Sequence, residues 1–304
     1  SGMETICISS QGETSVVLST KDARTSAKKT KSLSSGPVID KKKKETSEYF
    51  IPAYSWKNKV SKDTLVFRNV TVWTGDKAGI LENHSVAIYK GKIVNIAKYI
   101  GLKNGTLIDG KGKHLTAGIV DEHSHIAIQG GVNEAGMSVS SQVRISDAIT
   151  PYDINIYRQL GGGLTTANVL HGSANPIGGQ NAVIKLRWGK GANDLLFKNA
   201  PEGIKFALGE NVKQSNWGDD YYYRYPQTRM GVDQIIRDGF NAALDYQNKW
   251  SDYEESNKKS TIPPRKNLEL EALLEIINGE RIIHCHSYRQ DEILNLIQIA
   301  DDYG

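Results

Sequence analysis

From residue 115 onward the chain alternates between short apolar segments and amphipathic ones, and this alternation constrains the fold more than any other feature. Five apolar segments of strand length lie at residues 115–125, 164–170, 182–188, 203–208 and 281–286. Apolar residues recur with helical spacing at residues 151–160, 231–246, 268–277 and 289–303. Strands separated by helices predict βα units built around a parallel sheet.

The length of this region leaves two architectures open. Residues 115–304 hold the five predicted strands in 190 residues, whereas a complete eight-stranded βα barrel takes roughly 250 residues. The region is therefore either a smaller open α/β sheet or the first five βα units of a barrel.

The segment before it has a different pattern. Short β-branched and aromatic runs lie at residues 65–67, 70–73, 86–89 and 93–96, with a glycine-containing turn at Lys90-Gly91-Lys92. A strand, a glycine turn and a second strand at this spacing indicate a β meander. Residues 63–114 are therefore predicted to form a small β domain, followed by a second domain over residues 115–304.

The excess of basic residues is confined to the start of the chain. Residues 1–62 carry 12 Lys and Arg against 6 Asp and Glu, whereas the remainder carries 26 against 28. Residues 19–47 have too few large apolar side chains to offset the entropy of folding, so residues 1–62 are predicted to be a basic linker or extension. Contact of the lysine run at residues 41–44 with a phosphate backbone or an anionic membrane is the alternative.

Composition also excludes several classes of protein. The body of the chain gives no electrostatic reason to expect a nucleic-acid partner. No run of 18 apolar residues is present, so no transmembrane helix is predicted. The two cysteines, Cys7 and Cys285, exclude a disulfide-rich small domain and leave a cytoplasmic or a periplasmic location open.

The first candidate site is Asp121-Glu122-His123-Ser124-His125, which ends an apolar strand. Residues two apart in a strand point to the same face, so His123 and His125 present two imidazoles together. Imidazole is a preferred ligand of Zn²⁺, and this pair is therefore a candidate metal site. The alternative is a pair of ordinary surface or structural histidines.

A second strand ends in the same way, at His284-Cys285-His286. Two strands of one alternating fold that both end in His-x-His strengthen the metal interpretation, because their ends meet at one edge of a parallel sheet. Cys285 is expected to point away from the two histidines and is not counted as a ligand.

A lysine and a glutamate form the third candidate. Lys205 lies inside the apolar strand at residues 203–208, where an unpaired ammonium is costly to bury. It either pairs with a carboxylate in the core or is carbamylated and ligates a metal. Glu210, at the end of the strand, is the alternative carboxylate ligand.

Together these motifs carry a resemblance to a known family. Residues 64–304 resemble the amidohydrolase superfamily, especially its imidazolonepropionase-like branch. The matching segments are TAGIVDEHSH at 116–125, GSANPIGGQ at 172–180, GEN at 209–211, TRMG at 228–231 and HCH at 284–286.

The resemblance implies a distorted TIM (β/α)8-type barrel, with about five βα units present, beside a small β-sandwich. It implies that His123 and His125 bind the more buried metal and that Lys205, as a carbamate, bridges two metals. Glu210 takes the bridging place in the pattern of some branches. The histidine ligand of the fifth strand aligns best with His284 and second with His286.

The family pattern also includes a histidine on the sixth strand and an aspartate on the eighth. The aspartate is the usual metal ligand and proton shuttle, and the sequence ends before either residue. We therefore expect the catalytic aspartate beyond residue 304. We also expect residues 1–304 alone to lack appreciable activity, as a fragment or as one part of a two-chain barrel.

Two loops are expected on the same face as the metal ligands. His171, Asn175 and Gln180 follow the second strand, and Arg229 follows the fourth. An arginine among aromatic residues suits a substrate carboxylate beside an apolar or peptide-like group. Structural or partner-contact roles are the alternative. The aromatic residues near Arg229 are Tyr221, Tyr222, Tyr223 and Tyr225.

The predicted function is a metal-dependent amidohydrolase that cleaves C–N bonds of cyclic or linear amides through a metal-activated water. It is imidazolonepropionase-like or dipeptidase-like and uses one or two divalent ions, Zn²⁺ foremost. A catalytically incomplete fragment, or a non-catalytic binding or assembly module of the same fold, is the alternative. The expected partners are a small-molecule amide or peptide-like substrate, further copies of the chain and the remaining C-terminal part of the protein.

Overall fold

The computed structural model describes residues 3–8, 14–19, 64–214, 217–218, 223–256 and 262–304. The chain divides into two units, Ser1–Asn58 and Lys59–Gly304. In the first unit, strands β1 (Met3–Ile8) and β2 (Thr14–Ser19) pair in antiparallel register. The rest of the predicted linker at residues 1–62, including the lysine run at residues 41–44, lies outside the described residues.

The second unit begins with a sheet whose strands follow the β-branched runs of the sequence. Its order is β5-β4-β3-β6, and β7 also pairs with β3. Valines on one side of the sheet, Val70, Val72 and Val86, form its buried cluster. The strands are β3 (Leu65–Trp73), β4 (Ile80–Tyr89), β5 (Lys92–Ala97), β6 (Thr106–Asp109) and β7 (His114–Leu115).

Six further strands form two three-stranded sheets, with the orders β11-β9-β8 and β10-β12-β13. The pairs β8–β9 and β12–β13 are parallel, whereas β11–β9 and β10–β12 are antiparallel. The strands are β8 (Ile119–Ser124), β9 (Leu164–Val169), β10 (Ile177–Gln180), β11 (Ala182–Lys185), β12 (Glu202–Ala207) and β13 (Arg281–His286).

A single residue joins the two sheets. Only Asn181 separates β10 from β11, and its backbone N–H donates to the carbonyl of Gly203 on β12. The chain therefore pairs with β12 before Asn181 and with β9 after it. The result is one continuous sheet, called the wall below. The β10–β11 segment lies between β9 and β12, so the order is β8, β9, β10–β11, β12, β13.

This arrangement corrects one part of the predicted architecture. The segment at residues 182–188 was expected to be the third parallel strand, but the strand there, β11, runs antiparallel to β9. Only residues 170–176 connect β9 to β10. A parallel crossover needs a dozen or more residues, so the chain reverses instead. The described residues therefore do not form five successive parallel βα units, although the mixed α/β class is correct.

The helices cover the outer face of the wall. Asp153, Thr228 and Asn267 each accept a hydrogen bond from a backbone N–H of the first turn that follows them and so fix three helix starts. α3 is much longer than the predicted helix at residues 231–246. The helices are α1 (Ile154–Gly161), α2 (Ala192–Leu195), α3 (Arg229–Glu255), α4 (Leu268–Ile277) and α5 (Gln290–Asp302).

Alternation along β12 separates the core from the candidate site. Ile204 and Phe206 are fully buried and pack in one cluster with Ile236, Phe240 and Leu273 from the helices. Side chains alternate between the two faces of a strand, so Lys205 points to the opposite face. Helix packing thereby fixes the direction in which the lysine is presented.

Candidate functional site

Side chains from β8, from the residue that follows it and from β12 meet on the inner face of the wall. The Nζ atom of Lys205 lies 3.3 Å from Nε2 of His123. The rings of His123 and His125 pack edge to face, with centroids 5.2 Å apart. Lys205 is 1% exposed, so this contact is made by a lysine without access to bulk water.

The surroundings favour the neutral forms of Lys205, His123 and His286. Burial lowers the pKa of Lys205. Burial also lowers the pKa values of His123 and His286, and the charge of the nearby Lys205 lowers both further. A neutral imidazole keeps a lone pair on one ring nitrogen, which is the form that binds metal.

Two ring nitrogens are available for a ligand. Nδ1 of His125 lies 2.8 Å from the carbonyl oxygen of Leu170. Because a carbonyl can only accept, Nδ1 is the donor and Nε2 of a neutral His125 carries the lone pair. Nε2 of His286 is buried and has no hydrogen-bond partner among the described residues.

His284 lies opposite Lys205 in the register of β13 with β12 and contacts a buried asparagine within the wall. Its Nε2 accepts a hydrogen bond of 3.5 Å from Nδ2 of Asn168, and Asn181 donates to Oδ1 of the same Asn168. The histidine fits because Gly203 has no side chain: a Cβ there would lie 2.8 Å from Nε2 of His284. Sequence reasoning missed both asparagines, whose only signal is a polar residue within an apolar strand or at a strand break.

Glu210 is engaged by two cations. Its carboxylate lies 2.6 Å from Nη2 of Arg229 and 2.8 Å from Nζ of Lys213. Arg229 also forms an ion pair with Glu292. The guanidinium predicted to meet a substrate carboxylate is thus already shared between two carboxylates of the protein.

The three polar candidates after β9 hold the loop that follows β8. His171 is buried; its Nδ1 donates to the carbonyl of Gly172, and its Nε2 accepts from the backbone N–H of Glu134 at 2.8 Å. Nδ2 of Asn175 donates to the carbonyl of Glu134, and Nε2 of Gln180 donates to the carbonyl of a residue further along the same loop. These contacts agree with the loop-structure alternative.

The aromatic candidates are only partly described. Tyr223 is 78% exposed and Tyr225 is 49% exposed. Tyr221 and Tyr222 lie outside the described residues.

Across the described part of the chain, no group of three or more His, Cys, Asp or Glu side chains is arranged to hold a metal ion. Two imidazoles beside a lysine are therefore an incomplete ligand set while that lysine is an ammonium. The donor set fits a divalent cation only when Lys205 supplies an oxygen ligand.

Two cavities lie away from these residues. A cavity of about 550 Å³ lies between α3 and α4 and is lined by Tyr246, Trp250 and Glu271. Another, of about 460 Å³, lies at the amino ends of β12 and β13 and is lined by Glu202 and Arg281. No helix among the described residues is long and apolar enough to cross a membrane.

No protein-family model matches the chain. The chain is 26% identical over 283 residues to amidohydrolase tasK of Hapsidospora irregularis, an alignment that covers 80% of this chain and 28% of that protein. It is also similar to the crystal structure of an amidohydrolase from Thermotoga maritima, with 31% identity and a TM-score of 0.69. That match covers 79% of this chain and 62% of the Thermotoga chain, so this chain spans less than two thirds of either protein. Together with the mixed α/β fold, these similarities support the amidohydrolase superfamily as the family that the chain resembles.

Proposed function

We propose that this protein is a metal-dependent hydrolase that cleaves C–N bonds of cyclic or linear amides, in the manner of imidazolonepropionases or dipeptidases. The observation that carries the proposal is the convergence of Lys205 with His123 and His125 on the inner face of the wall. A bound divalent cation, Zn²⁺ foremost, would lower the pKa of a water molecule and polarise the scissile carbonyl. The similarity to amidohydrolases supports the hydrolase class.

We assign His123 and His125 as the first two nitrogen ligands and His286 as a third that must move towards them on metal binding, since no three such side chains of the described residues are arranged to hold a metal ion. His286 is preferred to His284 because Nε2 of His286 is buried without a partner, whereas Nε2 of His284 already accepts from Asn168. The hydrogen bond from His125 to Leu170 fixes the ring orientation and leaves Nε2 to face the cation.

We assign Lys205 as the anionic ligand, in the form of a carbamate. Its lowered pKa favours the neutral amine, which adds to CO₂; an N–C bond forms and the proton released passes to water. The product is an anionic carboxylate at the end of a long side chain. No carboxylate of the described residues lies within ion-pair distance of Lys205, so the amine is not held as an ammonium by an acid.

Glu210 is the weaker candidate for the anionic metal ligand. Its carboxylate is paired with Arg229 and Lys213, and ligation of a metal would require it to give up at least part of these ion pairs. We infer that Glu210 instead organises the loop after β12.

A non-catalytic binding or assembly module is the second candidate function. The observation in its favour is that the described residues lack a ready-made group of three metal-binding side chains. Carbamylation of Lys205 decides between the hydrolase and the non-catalytic module, because the carbamate supplies the oxygen ligand that the histidines lack.

The test measures metal and activity together. The natural protein, the His123→Ala/His125→Ala double variant and a His84→Ala control are purified with Zn²⁺ and analysed for metal content. His84 is a suitable control because it lies on β4 and contacts the backbone of Glu82. Each protein is then assayed against dipeptides, N-acyl amino acids, lactams and cyclic imides. The proposal requires loss of metal and of hydrolysis in the double variant alone; equal metal content in all three proteins would contradict it.

A further inference from the structure

One arginine at the mouth of the candidate site has a charge that no described carboxylate balances. The mouth is formed by the loops that follow β8, β9, β12 and β13. Within ion-pair distance of Arg224, no carboxylate is found in the part of the chain that the structure describes. The other described cations of the mouth are paired: Lys213 and Arg229 with Glu210, and Arg289 with Asp291.

The guanidinium of Arg224 is held in place by backbone and hydroxyl oxygens. Nε donates to the carbonyl of Ala135 at 2.9 Å, and Nη2 donates to the carbonyl of Ala174 at 2.6 Å. Nη1 donates to Oγ of Ser138 and to the carbonyl of Tyr225, both at 3.2 Å. These contacts fix the plane of the group before a ligand arrives, which reduces the entropy lost on binding.

These contacts leave part of the binding capacity of Arg224 unused. A guanidinium has five N–H donors, and the bonds to described residues use four of them. The remaining N–H is on Nη2. Burial also lowers the pKa of Arg224, which is the mark of a cation removed from water without a counter-ion. Carbonyl dipoles offset only part of that cost.

The neighbours of Arg224 are apolar and partly open to solvent. The Trp217 ring centroid lies 5.7 Å from Cζ of Arg224. Tyr223, Tyr225 and Met137 are 78%, 49% and 46% exposed. An anion bound here would therefore have an apolar group beside it.

Arg224 is also linked to the metal-site residues. It holds the carbonyl of Ala174 in the loop that begins with His171. A Cβ on Gly178 would lie 2.9 Å from Nδ1 of His171 and 2.8 Å from the backbone oxygen of Lys205. The loop held by Arg224 therefore packs directly against the strand that carries Lys205.

Resting on the proposed function, we propose that Arg224 is a specificity-determining residue that binds the free carboxylate of the substrate. The substrate class is a dipeptide or N-acyl amino acid whose C-terminal side chain is apolar. The sequence pointed to Arg229 for this task, but Arg229 is neutralised by Glu210 and Glu292, whereas Arg224 faces the mouth without such a partner.

The experiment compares substrates that differ only in the carboxylate. The natural protein loaded with Zn²⁺, Arg224→Met, Arg224→Lys and an Arg289→Met control are assayed on Ala-Leu and on Ala-Leu amide. Because Arg224→Met removes a charge-assisted hydrogen bond to the substrate carboxylate, its KM for Ala-Leu should be about 10- to 100-fold higher. The KM of Arg224→Met for Ala-Leu amide should stay within about twofold of that of the natural protein. On Ala-Leu, Arg224→Lys should raise KM less than Arg224→Met does, and Arg289→Met should leave KM unchanged. An equal loss on both substrates, the signature of a merely structural role, would overturn the proposal.

A binding measurement separates this proposal from the proposed function. If the natural protein hydrolyses none of the amides, the proposed function fails, and calorimetry with acetyl-leucine and acetyl-leucine amide then tests Arg224 directly. The acid should bind at least about 10-fold more tightly than the amide, and Arg224→Met should abolish that difference. Equal affinity of the natural protein for both compounds would reject Arg224 as a carboxylate-binding residue.

Discussion

The Nζ atom of Lys205 lies 3.3 Å from Nε2 of His123, a residue 82 positions earlier in the chain. The strands that carry them, β12 and β8, are not neighbours in the wall, because β9 and the β10–β11 segment lie between them. The wall must therefore curve to bring their side chains together. A buried lysine beside an imidazole, rather than beside an acid, is the relationship from which the proposed chemistry follows.

A substitution at Gly178 is expected to disturb this relationship. A Cβ there would lie 2.8 Å from the backbone oxygen of Lys205 and 2.9 Å from Nδ1 of His171, so one group must move. Overpacking of this kind costs about 1–3 kcal/mol, and Gly178→Ala should lower the free energy of unfolding by that amount. Gly161→Ala is the control, since nothing lies within 4 Å of its Cβ position. Equal urea midpoints for the two variants would refute this prediction.

The thiol of Cys285 is expected to be unreactive despite its place between two histidines. Burial raises its pKa from the ordinary value of 9.0 to about 12. At pH 8 its thiolate fraction should be about 10³-fold smaller than that of an unshifted thiol, since only the thiolate is the nucleophile. Alkylation by iodoacetamide, followed by peptide mass spectrometry, should be correspondingly slower in the folded protein than in guanidinium. Similar rates in both states would show that the thiol is not shielded.

The buried His171 is expected to make folding sensitive to mild acid. Burial lowers its pKa in the folded protein, so the unfolded chain binds more protons below about pH 6.5. The free energy of unfolding should therefore be highest above pH 6.5 and fall as the pH drops through the lowered pKa, by at most about 1.4 kcal/mol per pH unit from this group. His123, His284 and His286 have lowered pKa values too, so they act with the same sign.

The His171→Gln variant isolates this contribution. Glutamine offers one acceptor and one donor in place of the two ring nitrogens. Chemical denaturation of the metal-free natural protein and of the variant, each between pH 5 and 8, gives the two slopes. The variant should show the shallower dependence of stability on pH below 6.5, and identical slopes would mean that His171 is not the titrating group.

Strand periodicity was sufficient to predict that His123, His125 and the second pair of histidines end apolar strands and that Lys205 lies inside one, because polar residues in or beside an apolar run are visible in a single sequence. The antiparallel β11 was not predictable in this way. Its direction depends on how few residues connect β9 to β10, and apolar content alone does not report direction.

The partners of charged residues were harder to predict than the strands. Arg229 pairs with Glu210, 19 residues away, and with Glu292, 63 residues away. Such pairing follows from helix packing rather than from local pattern. For the same reason Arg224 was overlooked, since nothing in its neighbours along the chain indicates that it joins the loops after β8 and β9.

The metal content of two single variants identifies the anionic ligand of the site. The natural protein, Lys205→Ala and Glu210→Gln are purified with Zn²⁺ and bicarbonate, and the bound metal per chain is measured. We expect Lys205→Ala to lose most of the metal, because the carbamate oxygen is removed, and Glu210→Gln to retain the metal content of the natural protein. Full metal content in Lys205→Ala together with loss of metal in Glu210→Gln would contradict this expectation.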